Sequence, residues 1–279
     1  MNQTVELHSS TVKQISLIAT TEVRRLLSQT KGIVTLAAYV MLWLLILLFL
    51  VRDAVGLMLH PEAKDVVMQM LGAGAVSNLF NWPVEEFAMY WVFALGLQPM
   101  FAILLGAGQF ADDIQRGTFR FLSLHASRIA LFFGRFLGAM AVMALLTGAT
   151  SIVTIVMAMV RDIHLAMPAL ICGLQVWLVI LLMLLPYVAL MSLLSVIASS
   201  SKQAVIYSVL FFTGLSLLVW LADATFAPLA YLEYVMPGTE TERLMGVMPT
   251  QAPIYLKVAL IQTVAFLAIG FYAFRRSDV

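Results

Sequence analysis

The stretch Ile163–Ser201, IHLAMPALICGLQVWLVILLMLLPYVALMSLLSVIASSS, contains no Asp, Glu, Lys or Arg. A helix needs about 20 apolar residues to cross the hydrocarbon core of a bilayer, so this run is long enough to span one. Working outward, five further windows are equally free of charge: Gly32–Val51, Phe87–Ala111, Phe136–Val160, Gln203–Ala222 and Val258–Phe274. The charges are confined to the connections, which makes lipid the main solvent. Hydrophobic residues form 62% of the chain and charged residues 11%, against roughly 25% charged in a soluble domain. The expected fold is all-α, a single transmembrane domain over residues 1–279. Its six transmembrane helices are placed near 32–51, 87–111, 136–160, 165–198, 203–222 and 255–274. Within 279 residues these spans leave no room for a separate soluble catalytic domain.

Ile163–Ser201 admits two readings. One long helix kinked near Pro186 is preferred, because proline removes a backbone donor and crowds the preceding turn. Two short spans would need a turn inside the apolar run, with unpaired backbone groups in lipid.

Ahead of the first span, Ile15, Ile18, Ala19, Val23, Leu26 and Leu27 share one helical face. Lys13, Thr20, Thr21, Arg24, Arg25 and Ser28 fall mainly on the other. Residues 11–30 therefore read as a helix lying in the membrane interface. The stretch lacks the apolar core and small-residue cleavage site of a secretory signal.

Lys and Arg fix the orientation of a polytopic chain. With the N-terminus in the cytoplasm and six crossings, Lys13, Arg24, Arg25, Lys31, Arg116, Arg120, Arg128, Arg135, Lys202, Arg275 and Arg276 lie inside. Arg52, Lys64, Arg161, Arg243 and Lys257 lie outside. The division is 11 to 5 of the 16 basic residues, so both termini are expected in the cytoplasm.

Of the connections, three carry signals. Asn81, Pro83, Glu85 and Glu86 read as the start of a helix, with a capping side chain and then acids at the positive end of the dipole; an outer cation site at Glu85–Glu86 is the competing reading. In the last outer loop, Phe226, Leu229, Tyr231, Leu232 and Tyr234 precede Pro237–Gly238, which suggests an interfacial or re-entrant helix before the sixth span. The loop after the second span reads Phe110-Ala111-Asp112-Asp113-Ile114-Gln115-Arg116-Gly117-Thr118-Phe119-Arg120-Phe121-Leu122-Ser123-Leu124-His125-Ala126-Ser127-Arg128. It is short and amphipathic, with Arg116 and Arg120 four apart on one face. A positive-inside anchor with a turn at Gly117 accounts for the same composition.

Several chemistries are missing from the sequence. There is no G-x-x-x-x-G-K-[ST] phosphate loop, no H-E-x-x-H and no Cys/His cluster. The four histidines are dispersed, Cys172 is the single cysteine, and the 17 methionines are spread along the chain as apolar filler. No cofactor, metal or catalytic residue is assigned, and no nucleic-acid partner. Span interiors hold only Gln98, Gln109, Gln175 and Gln262 with scattered Ser, Thr and Tyr. Ion-coupled carriers usually place a charge at that depth, so the energy source is expected elsewhere. Gly134 and Gly138 permit close helix packing, and Ala141 continues their face. Thr147, Thr150, Ser151 and Thr154 line a weakly polar stripe that either borders a pathway or bonds between helices.

This layout resembles the membrane subunits of type 2 ABC exporters: an interfacial helix, six spans, a cytoplasmic coupling helix after the second and a re-entrant hairpin before the sixth. Asp112 and Asp113 match that family's acids, Gly117-Thr118 its Gly-Thr, Phe119, Phe121, Leu122 and Leu124 its apolar stretch, and Ser127-Arg128 its Ser-Arg. His125-Ala126 departs from the usual proline-bearing turn, and Gly134-Arg135 replaces Gly-Lys with the charge kept.

The resemblance implies a non-catalytic permease of the bacterial inner membrane, with a second permease subunit expected to be identical, and a separate ABC ATPase that carries ATP and Mg. It assigns ATPase coupling to Asp112, Asp113, Arg116, Gly117, Thr118, Arg120 and Leu122, and a second, smaller contact to the Ser199–Lys202 turn through Lys202. A mechanical transmitter that moves no cargo, an ion-coupled carrier and an intramembrane enzyme are the rival readings.

Overall fold

The computed structural model describes residues 11–28, 30–58, 81–117, 126–225 and 227–276, and among them every extended element is helical. Among the described residues, six helices are long and apolar enough to cross a membrane: Gly32–Gly56, Glu85–Arg116, Arg128–Arg161, Ile163–Ile197, Ser201–Leu221 and Leu256–Arg276. They are called the first to sixth spans below.

The fourth span settles the ambiguity of the long apolar run. A single α-helix, Ala166–Ile197, runs through Pro186 without a break. This span is the axis of the bundle: it packs against the second, third and sixth spans and is the most buried of the six. The first and fifth spans are the least enclosed. Side chains such as Met41, Phe49, Leu210 and Leu217 point away from the protein on these two. In a lipid solvent this exposure carries no hydrophobic penalty.

At one end of the bundle, the third span (34 residues, roughly 51 Å at 1.5 Å per residue) is longer than the ~30 Å hydrocarbon core. Ser127 caps its start, its hydroxyl accepting the amide of Ala130. The N-terminal helix, Thr11–Ser28, lies against these first turns. Glycine makes that approach possible. A Cβ at Gly134 would sit 2.8 Å from Ile18 Cβ, and one at Gly138 would sit 2.7 Å from Glu22 Cβ and 3.2 Å from Ala19 Cα. The face read as apolar is thus divided: Ile15, Ile18 and Ala19 are half-buried, whereas Leu27 is exposed. Arg25, read as part of the polar face, turns inward to ion pairs with the second span.

At the opposite end, Glu85 and Glu86 open the second span as acids in its first turn. The expected cap differs: Val84 occupies the N-cap with no side-chain bond, three residues after Asn81. The two acids instead hold Arg161, the last residue of the third span, with Nε 2.7 Å from Glu86 Oε1 and Nη2 2.5 Å from Glu85 Oε2. These pairs tie the second and third spans and account for both carboxylates.

The hairpin before the sixth span is irregular. It comprises a 3-10 segment Ala227–Val235, a turn, and the short helix Thr241–Met245. Gly238 has φ +94°, and a Cβ there would collide with the Tyr187 hydroxyl; both facts favour glycine. Gln262 donates to the carbonyls of Tyr234 (2.7 Å) and Met236 (3.0 Å), and Trp91 Nε1 donates to that of Leu244 at 2.9 Å. Side-chain donors from the second and sixth spans thus bond carbonyls at the ends of these short turns and tie the hairpin to the bundle. Phe226 lies outside the described residues.

The hydroxyl stripe on the third span is buried and bonded to helix carbonyls: Thr147 to Met143, Thr150 to Thr147, and Thr154 to Thr150. Tyr90 of the second span joins it, its hydroxyl 2.8 Å from Thr150 Oγ1. The hydroxyls thus bond mainly back to their own helix, and Tyr90 carries the link to the second span.

Candidate functional site

The second span does not run straight into the loop that follows it. The helix Glu85–Gly106 stops, and a second short helix, Ala111–Arg116, begins after a turn. The free amides of that restart need an acceptor, and it comes from another span. Ser195 Oγ accepts the amides of Phe110 (2.8 Å) and Ala111 (3.0 Å) and donates to the carbonyl of Ala107 at 3.1 Å. Ser195→Ala leaves two buried amides without a partner. The expected cost is about 2 kcal/mol, read as a lowered midpoint in detergent unfolding of the purified chain.

The short helix ends at Gly117, whose φ of +67° closes it with bonds back to Asp113 and Ile114. Left-handed closure of this kind favours glycine. Asp112 and Asp113 sit in its first turn, while Arg116 and Gly117 are exposed. Thr118, Arg120 and Leu122 lie outside the described residues, as do Phe119, Phe121, Leu124 and His125. Lys202 is exposed on the first turn of the fifth span. That turn is a reciprocal cap: Ser200 Oγ accepts from Gln203 N at 3.3 Å, and Gln203 Oε1 accepts from Ser199 N at 2.8 Å.

Around Asp112 and Asp113 a charge cluster assembles from three separate elements. The third span contributes Arg135, which is 4% exposed. Its guanidinium donates to the carbonyl of Gln109 and to Asp113. It also lies 3.6 Å from Glu22 Oε1 and stacks over the Phe110 ring, 5.5 Å from the centroid. The N-terminal helix contributes Glu22 and Arg25. Arg25 reaches Asp112 at 3.6 Å and Asp113 at 3.8 Å. Three carboxylates thus meet two guanidiniums. Burial raises the Glu22 carboxyl above its ordinary value, against the pull of Arg135 and Arg25. A carboxyl raised in this way binds its proton more readily in the folded state, so its ionisation weakens the cluster as pH rises.

Gly134 and Gly138 therefore lie beside the same cluster, as the seat of the N-terminal helix. The resemblance had singled out Asp112, Asp113 and Arg116 but passed over Glu22, Arg25, Gln109 and Ser195 as site residues. One signal was available for Arg135. It is three residues before Gly138 and one after Gly134, so a helix that packs on those glycines must meet it.

An ABC-2 family transporter protein model matches residues 16–279. The chain belongs to the ABC-2 transporter family. It is a multi-pass membrane protein, a permease subunit of an ABC transporter, of a family whose members are in general non-catalytic and work with an ABC ATPase. Comparison with curated proteins gives no match. Among the described residues no group of His, Cys, Asp and Glu has a metal-binding arrangement. Ion pairs and shared hydrogen bonds join the segment after the second span to the third span and the N-terminal helix.

Proposed function

We propose that this ABC-2 permease is one half of an ATP-driven exporter of the bacterial inner membrane. Two copies form the pathway between their spans, and a separately encoded ATPase subunit binds ATP and Mg. Residues 113–124 dock into that subunit from the cytoplasm, with the Ser199–Lys202 turn as the smaller contact. The observation that carries this reading is the fastening of Ala111–Arg116. A segment held by Arg135, Arg25 and Ser195 moves with the third span, the N-terminal helix and the fourth span together. Closure of an ATP-bound ATPase pair then displaces the bundle as a body, and the differential affinity of that pair for ATP supplies the bias between states. Uncharged span interiors fit a pathway that draws no energy from an ion gradient.

Purification from native membranes is expected to recover a nucleotide-hydrolysing subunit with the chain; recovery of the permease alone, stable and active, would overturn the reading. Arg116→Glu reverses an exposed charge next to Gly117. It is expected to weaken recovery of the ATPase by about tenfold while membrane insertion is unchanged. Gly117→Pro is expected to uncouple hydrolysis from transport, because proline holds φ near −65° where the chain needs +67°. Full recovery and full coupling in both variants would remove the docking assignment.

A further inference from the structure

The buried face of the first span is spaced in fours. Tyr39, Trp43, Leu47, Val51 and Val55 are each at most 4% exposed and lie on the side that meets the second span. On an ideal α-helix each step of four overshoots a full turn by about 40°, so such a stripe drifts by roughly 160° over the run. A π-helical turn inside the span, Ile46–Val51, takes up much of that drift. Its wider turn holds about one residue more than an α path. Tyr39 and Trp43 before it and Val51 and Val55 after it therefore face the same neighbour. The turn reads ILLFLV and contains no proline or glycine, so packing holds it rather than a local helix breaker.

The polar layer beside the turn is half-satisfied. Gln98 of the second span donates from Nε2 to the Tyr39 hydroxyl at 2.7 Å, and the Trp43 ring lies 5.3 Å from that of Tyr90. Gln98 Oε1 and Trp43 Nε1 are buried with no partner among the described residues. Pro99 also withholds from the Leu95 carbonyl the donor that an α-helix would supply. Unmade bonds in a buried setting raise the free energy of this position. On its other side the first span presents Val40, Met41, Leu44 and Phe49, all apolar and exposed. A turn of the span thus brings apolar side chains inward.

We propose that Ile46–Val51 is a rotary hinge, with the Tyr39–Gln98 bond as its latch. Relaxation of the π turn to α-helix removes one residue of register and turns Thr30–Leu45 by about 100° against Arg52–Met58. Counting back from Val51 in α steps of seven and eleven, Leu44 and Val40 then replace Trp43 and Tyr39 against the second span. Both positions are populated, because one keeps the Tyr39–Gln98 bond and the other has the regular helix. The N-terminal helix ends at Ser28 and Thr30–Leu45 follows it, so a push on that helix reaches the hinge as torque. The rotation does not depend on ATPase docking, since its test uses the full chain alone.

Pulsed electron paramagnetic resonance of the chain in lipid nanodiscs measures it, with Cys172→Ala to remove the native thiol. One nitroxide pair is Met41→Cys with Ile269→Cys, and the control pair is Asp53→Cys with Ile269→Cys; all three sites are exposed. A rotation of about 100° carries a side-chain tip through about 8 Å. Two distances are expected from the Met41 pair and one from the Asp53 pair. Gln98→Leu opens the latch and is expected to shift the Met41 populations about fivefold toward the rotated position, the scale of one net hydrogen bond. Deletion of Leu48, which is exposed within the turn, removes the extra residue and is expected to leave one distance. One distance from both pairs in the parent overturns the hinge, and two from both show that the whole span moves, which overturns it as well. Two distances that survive the deletion unchanged also overturn it, and an unmoved ratio in Gln98→Leu overturns the latch. Gln98→Leu keeps the chain length and so remains decisive where the deletion fails to insert.

Discussion

Arg135→Ala is expected to detach the segment after the second span from the rest of the bundle, with the largest stability loss of any single substitution at this end of the protein. The guanidinium bonds Asp113 and the Gln109 carbonyl, faces Glu22 at 3.6 Å and covers Phe110. Its removal leaves three carboxylates, all partly or wholly buried, with Arg25 as the remaining cation of the cluster among the described residues. Breaking a buried pair from one side costs about 3–5 kcal/mol, because the partner's charge stays buried without compensation. Detergent unfolding of the purified chain reads that loss directly. Arg135→Lys keeps the charge but has one compact ammonium where the planar fork reaches two acceptors, so an intermediate midpoint is expected. Wild-type stability for Arg135→Ala would show that the cluster contributes nothing to holding Ala111–Arg116.

Gly138→Leu is expected to lift the N-terminal helix off the third span. Even a bare Cβ at this position would stand 2.7 Å from Glu22 Cβ and 3.2 Å from the Ala19 backbone. Neither neighbour can swing aside as the tip of a long side chain could, so the helix itself must shift. Overpacking of this kind costs typically ~1–3 kcal/mol, and here it also pulls Glu22 and Arg25 away from Asp112 and Arg135. The outcome is visible through a reporter cysteine. Ala19→Cys is half-buried against the third span, and the native Cys172 is buried. Maleimide labelling at position 19 is expected to be slow in the parent and at least tenfold faster with Gly138→Leu, the change that loss of ~1.4 kcal/mol of protection produces. Equal labelling rates would show that the helix tolerates the added side chain in place.

The spans were legible because each window free of charge is also long, and lipid permits few alternatives for such a run. Ile163–Ser201 was ambiguous by length alone. The structure resolves it as one helix because the fourth span is the bundle's axis, where an interruption would leave buried backbone groups unpaired. The end of the second span was placed near residue 111, yet the helix stops at Gly106 and restarts at Ala111. What permits that break is Ser195, more than 80 residues further along the chain, and no local pattern encodes it. The N-cap of the second span is Val84 rather than Asn81 for a related reason. Proline and acids were correctly read as a helix start, but Glu85 and Glu86 are oriented by Arg161, a partner that apolar periodicity cannot identify.

Sequence alone determined what must be true of the chain's solvent. Six uncharged runs fix six membrane helices, and the charges between them fix which ends can meet water, because each ion left in hydrocarbon carries a large penalty. It also located the Asp112–Arg128 motif and the Gly134/Gly138 pair. Only the tertiary structure decided what those residues touch. The glycines receive the N-terminal helix rather than another span, and Glu22, Arg25, Asp112, Asp113 and Arg135 come together from three elements. Hydrophobic partition acts on each segment independently and is therefore readable locally, whereas an ion pair depends on the distance between residues remote in sequence, which exists only once the helices have packed.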